Sequence, residues 1–104
     1  MQIDVLRARR EALRWLIVLT LNNARPIGAF EGPILAVAQS EYPDATLHEL
    51  RRELDYLGDR KLVELTKKPD GRWFAELSRY GVDLAEYTVD CEPGIARPAK
   101  YWAG

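Results

Sequence analysis

The sequence is short of everything from which metal and redox sites are made. Its 104 residues include a single cysteine, Cys91, and a single histidine, His48. One cysteine cannot close a disulfide within the chain, and together the two fall short of a tetrahedral zinc ligand set. Cys91 therefore reads as an inert thiol of a reducing compartment. Catalytic motifs are missing as well. There is no glycine-rich phosphate loop, no HExxH, and no carboxylate pair that stands apart from ordinary helix-surface charge. No motif fixes a serine or cysteine beside His48. These absences predict a protein that is not an enzyme and has no cofactor. Long apolar runs are also absent. Trp15–Leu21 is far below the roughly 20 residues that span a bilayer. Charged residues precede it, so the N-terminus is not a signal peptide. The expectation is a cytoplasmic protein with no membrane partner. Finally, there is no excess of basic residues: 15 Lys and Arg stand against 16 Asp and Glu. Nucleic-acid binders usually carry a basic domain or a basic face, so only a local patch could serve that purpose here.

What the chain does contain is strong helix and turn signalling. Leu6, Leu13, Leu16, Ile17 and Leu21 recur on one helical face, predicting a first helix over about 3–21. Its second half, with Trp15, Val18 and Leu19, is apolar nearly all round. Such a helix is buried on several sides, either as the centre of the domain or in a subunit interface. Arg25–Gly28 reads as a short extended segment. A second helix is predicted from Gly32-Pro33, since proline fits the first turn, to Pro43, which ends it. Thr46 and Glu49 form a capping-box pattern for a third helix. Its leucines Leu47, Leu50, Leu54 and Leu57 face the core, and Gly58 suits the left-handed position that closes it. Strand-like Lys61–Lys67 and Arg72–Leu77 flank the turn Lys68-Pro69-Asp70-Gly71, and Ser78 caps a last short helix to about Tyr87. The domain is thus 1–87, followed by a Pro- and Gly-containing tail over 88–104. Because the tail carries Val89, Ile95, Tyr101 and Trp102, it is expected either to fold back or to dock on a partner.

This order (helix, short strand, two helices, hairpin, helix) predicts an α+β, mainly α, winged helix-turn-helix fold. The segments LRRELDYLGDRKLVEL at 50–65 and GRWFAELSRYGVDLAEY at 71–87 resemble a signature of bacterial regulators of the multiple-antibiotic-resistance and arsenic-repressor types. That signature runs leucines, glycine turn, strand, wing, then Leu-Ser/Thr-x-x-Gly. More loosely, the whole chain, with GIARPAKYW at 94–102, is similar to small winged-helix proteins of Mu-like phages and prophages. The resemblance implies a DNA-binding transcriptional regulator. The chain departs from those regulators in lacking a metal-sensor cysteine pair, an obvious ligand-sensing cluster and a long C-terminal helix.

The DNA-binding residues expected on this basis are His48, Arg51 and Arg52 of the third helix and Lys67, Lys68 and Arg72 of the wing. With the four leucines inward, a rotation of about 100° per residue places Ala45, His48, Glu49, Arg52, Asp55, Tyr56 and Asp59 on the outer strip. Three carboxylates on that strip oppose phosphate, so the wing is expected to carry more of the attraction. The lysines equally serve to keep a hairpin tip soluble. A further basic cluster is Arg7, Arg9, Arg10 and Arg14. Trp15, Val18, Leu19, Tyr101 and Trp102 are the candidate dimer or partner interface. The alternative function is a winged-helix protein-interaction module, in phage assembly or a larger complex, that makes no contact with DNA.

Overall fold

Asp4 opens the first helix by accepting the Arg7 backbone N–H at 3.0 Å. In the computed structural model, which describes residues 4–100, the elements are α1 (Val5–Asn23), β1 (Ala29–Phe30), α2 (Glu31–Glu41), α3 (Leu47–Asp59), β2 (Val63–Lys67), β3 (Trp73–Leu77) and α4 (Arg79–Ala85). The strands form one antiparallel sheet in the order β1-β3-β2. This is a small winged-helix arrangement, mainly helical, with the β2–β3 hairpin as the wing. No helix among the described residues is long and apolar enough to cross a membrane.

The apolar second half of α1 is explained by its position. α1 packs against α2, α3, α4 and β3. Leu13, Ile17, Val18 and Leu21 meet Ile34, Leu50, Leu54, Leu57 and Leu84 in one core. Val18 is completely buried within the chain's own core, which removes it from the candidate partner interface. Trp15 is half-buried against that core and stacks edge-on with Tyr87 at 6.1 Å, while Leu19 is half-buried outside the cluster.

α3 is capped as its sequence predicts on one side only. The Thr46 hydroxyl accepts the Glu49 N–H at 3.1 Å, but the Glu49 carboxylate turns away to Arg9. The other end also differs from the expectation. Gly58 stays helical and Lys61 takes the left-handed conformation, φ 64°. The N–H of Leu62 reaches the Leu57 carbonyl and that of Lys61 the Gly58 carbonyl, each at 3.0 Å. These are the two bonds of a Schellman closure, with Leu57 and Leu62 as its apolar contact. What Gly58 provides is room: a Cβ there would lie 3.3 Å from Leu65 Cδ1.

In the hairpin, Lys67 pairs with Trp73 and Val63 with Leu77. The period-2 alternation turns Val63, Leu65, Trp73, Ala75 and Leu77 to one face and Glu64, Thr66, Phe74 and Glu76 to the other. Ser78 accepts the Gly81 N–H at 3.0 Å and bonds the Lys61 and Leu62 carbonyls. A Cβ at Gly81 would overlap the Leu62 carbonyl oxygen. The Leu-Ser-x-x-Gly run is therefore the joint that seats α4 on the start of the wing.

The tail folds back on its own domain over its described length. Val89, Cys91 and Ile95 pack against the core. Ala96 N–H bonds Glu11 O at 3.1 Å, and Arg97 donates to the carbonyls of Leu84 and Val89. Tyr101 and Trp102 lie outside the described residues.

Candidate nucleic-acid interface

The buried stripe of α3 is Leu50, Glu53, Leu54 and Leu57. It is turned slightly from the all-leucine stripe read in the sequence: Leu47 is 36% exposed. Ala45, expected on the outer strip, is buried. It precedes the helix, so the helical rotation does not apply to it, and its carbonyl accepts from Gln39 Nε2 at 3.0 Å. What remains outward on α3 is His48, Arg52, Asp55 and Asp59.

The carboxylates of α3 mostly look inward or have cations on them. Glu49 receives two parallel hydrogen bonds from Arg9, both 2.8 Å, and Arg9 also reaches Asp44 at 2.9 Å. Glu53, fully buried, is held by Arg14 at 2.8 Å and by Arg52 Nε at 3.4 Å. Asp55 pairs with Lys67 at 3.3 Å. Of the three carboxylates expected on the outer strip, Glu49 is therefore neutralised by Arg9 of α1 and Asp55 by Lys67, while Asp59 has no such partner among the described residues.

The wing meets α3 through a second buried carboxylate. Glu31, in the first turn of α2, is 6% exposed. It accepts Arg51 Nε at 2.6 Å, Arg51 Nη2 at 2.7 Å and the Trp73 backbone N–H at 3.1 Å. Hydrogen bonds from Arg51 hold its carboxyl below the usual range, against the opposing effect of burial, and the Trp73 N–H adds to them. Arg51 also donates to Gly71 O at 2.8 Å and lies 4.9 Å from the Trp73 ring centre. Arg51, expected on DNA, is thus engaged in joining α2, α3 and the wing, with its side chain still 32% exposed.

The other cations stand open. Lys67 lies over Trp73 at 4.2 Å and Lys68 over Phe74 at 5.9 Å. Lys68 has no acidic partner among the described residues. Arg72 is 61% exposed, over Phe30 and paired with Asp70 at 2.9 Å. The Arg72 N–H and guanidinium hold the Asp70 carboxyl below its ordinary range. His48, Arg52, Lys67, Lys68 and Arg72 thus lie on neighbouring elements, the outer side of α3 and the hairpin that follows it, with Asp55–Lys67 bridging the two. Sequence reasoning missed Glu31, Glu53 and Trp73. No cluster of three or more potential metal ligands occurs among the described residues.

The same fold has been solved elsewhere. A crystal structure from Ralstonia eutropha JMP134, described as a candidate DNA-binding protein, superimposes with a TM-score of 0.62. It is 24% identical, and the match covers 75% of this chain and 95% of that one. No protein-family model matches the sequence, and no curated protein does.

Proposed function

We propose that the chain is a small DNA-binding protein that regulates transcription in a bacterium or phage. The observation that carries this reading is the neutralisation of the α3 carboxylates. With Glu49 and Glu53 held by α1 and Asp55 held by Lys67, Lys68 faces solvent with no acidic partner among the described residues. The side chains of Arg52 and Arg72, 59% and 61% exposed, meet Glu53 and Asp70 through Nε alone, which leaves their terminal nitrogens to solvent. Phosphate attraction supplies most non-specific affinity. Contacts from a wing and an outer helix face position a protein on the duplex. The likeness of fold to a candidate DNA-binding protein supports the same reading. The test is fluorescence anisotropy with a mixed-sequence duplex at low salt. Binding is expected within roughly the 1–100 µM range of non-specific affinities. The Lys68→Glu, Arg72→Glu variant is expected to weaken it by roughly tenfold or more. No binding by the native chain, or none lost in the variant, overturns the proposal. In that case the protein-interaction reading gains, for which Ile27, 76% exposed just before β1, is the supporting feature.

A homodimer accompanies the proposal, since twofold proteins match twofold sites. The half-buried Trp15 and Leu19 are its candidate contacts, together with Tyr101 and Trp102. Light scattering is expected to give twice the monomer mass; a monomer at high concentration rejects it.

A further inference from the structure

Four arginines crowd the first half of α1, and three of them are engaged. Arg7 pairs with Glu11 at 2.9 Å, Arg9 with Glu49 and Asp44, and Arg14 with Glu53 and the Gly94 carbonyl. Arg10 has no hydrogen-bond, ionic or ring partner among the described residues, although it is half-buried. A cation drawn partly out of water without a counter-charge is unfavourable, so its placement calls for an anion from outside. Arg10 lies one turn before Arg14, on the side of α1 that faces α3. Two shallow depressions, of about 450 and 330 Å³, lie between these helices, and Arg10 and Arg52 line both. Arg52 is 59% exposed and tethered only through Nε to Glu53, so its terminal nitrogens are uncommitted.

We infer that Arg10 and Arg52 together take a backbone phosphate of duplex DNA, on the side of α3 away from the wing. The inference rests on the DNA-binding reading above and gives it a second anchor. The carboxylates bordering the two depressions do not exclude an anion. Asp44 and Glu49 are bound by Arg9, Glu53 by Arg14, and Asp55 by Lys67. Asp59 carries no such partner among the described residues, but it lies seven residues beyond Arg52, about 10 Å further along the helix. A duplex held by the wing at one side of α3 and by Arg10 at the other would be clasped across the helix. The wing alone would leave it free to pivot.

The experiment compares the native chain with Arg10→Ala and Arg7→Ala, measuring affinity for a mixed-sequence duplex over a series of salt concentrations. Both variants lose one positive charge from the same helix, so general electrostatics affects them alike. If Arg10 contacts a phosphate, its removal lowers the slope of log affinity against log salt by about 0.9. It also weakens binding roughly eightfold at about 0.1 M salt. Arg7→Ala is expected to leave the slope as it was. Arg10→Ala should melt like the native chain, because no partner is lost. Binding by the native chain with equal slopes for both variants overturns the clasp and leaves the proposed function standing. Failure of the native chain to bind overturns both.

Discussion

Glu53→Ala is expected to lower the folding stability by about 3–5 kcal/mol, the range for removing one partner of a buried ion pair. Glu53 is 0% exposed. Its two oxygens take Arg14 Nε at 2.8 Å and Arg52 Nε at 3.4 Å. Arg14 is itself 13% exposed, lies 3.5 Å from the Tyr56 ring centre and donates to the Gly94 carbonyl. Alanine would leave that guanidinium without a counter-charge and would also open a void between α1 and α3. A domain of this size has a total stability of about 5–15 kcal/mol, so the loss is a large part of the whole. Urea denaturation measures it. The double variant Glu53→Leu, Arg14→Leu separates charge from packing. Replacing both members of a buried pair by apolar groups is often neutral, so the double variant is expected to lie well above Glu53→Ala in stability. A Glu53→Ala cost below about 1 kcal/mol would show that water reaches Arg14 and that the pair contributes little. The same substitution unties Arg52, so it should also disturb whatever α3 binds.

Glu53 also shows where the sequence was readable and where it was not. Local signals were legible: the Thr46 cap, the leucine spacing of α3, the Lys68–Gly71 turn and the Ser78 cap all act within four or five residues. Those signals suffice to order the elements and so to identify the fold. The site depends on pairings between distant positions, such as Arg14 with Glu53 and Arg51 with Glu31, 39 and 20 residues apart. Nothing in a helical period states which arginine will meet which carboxylate. A glutamate one position from the leucine stripe looks like a solvated flank until α1 is laid across it. For that reason the helical wheel sets Glu49 against DNA, whereas in the fold it serves the α1–α3 contact. Lys61 is a similar case. The sequence offers the nearby Gly58 for the left-handed position, but packing against Leu65 and the Schellman bonds put the positive φ three residues later. The apolar half of α1 was ambiguous for the opposite reason. A helix surrounded by its own domain and a helix surrounded by a partner have the same composition, and only the positions of α2, α3, β3 and α4 distinguish them.

Glu31→Gln is expected to reduce stability by about 2 kcal/mol at neutral pH, within the range for hydrogen bonds to a charged group. Glutamine keeps the shape, so no cavity contributes. It retains one acceptor oxygen where the carboxylate offers two to Arg51, and it brings an N–H₂ toward a guanidinium and the Trp73 N–H, which have nothing to accept it. The pH dependence follows from the direction of the Glu31 shift. Its carboxyl ionises more readily in the folded chain than in the unfolded one. Its stabilisation is therefore complete above the ordinary glutamate pKa of about 4.3 and disappears as pH falls through the lower, folded value. The gap between native chain and variant should stay constant from neutral pH down to about pH 5 and close in more acid solution. A gap that is unchanged at low pH would mean that shape, not charge, makes the contact. Because the Trp73 N–H and the Gly71 carbonyl both belong to this junction, the loss should also be local. Amide exchange at Trp73 is expected to accelerate more than exchange in the α1 core, and the wing should become the most mobile part of the described fold. The wing carries Lys68 and Arg72. If these residues hold DNA, Glu31→Gln should weaken duplex binding at constant net charge of the wing, by loosening where the cations sit and not by removing them.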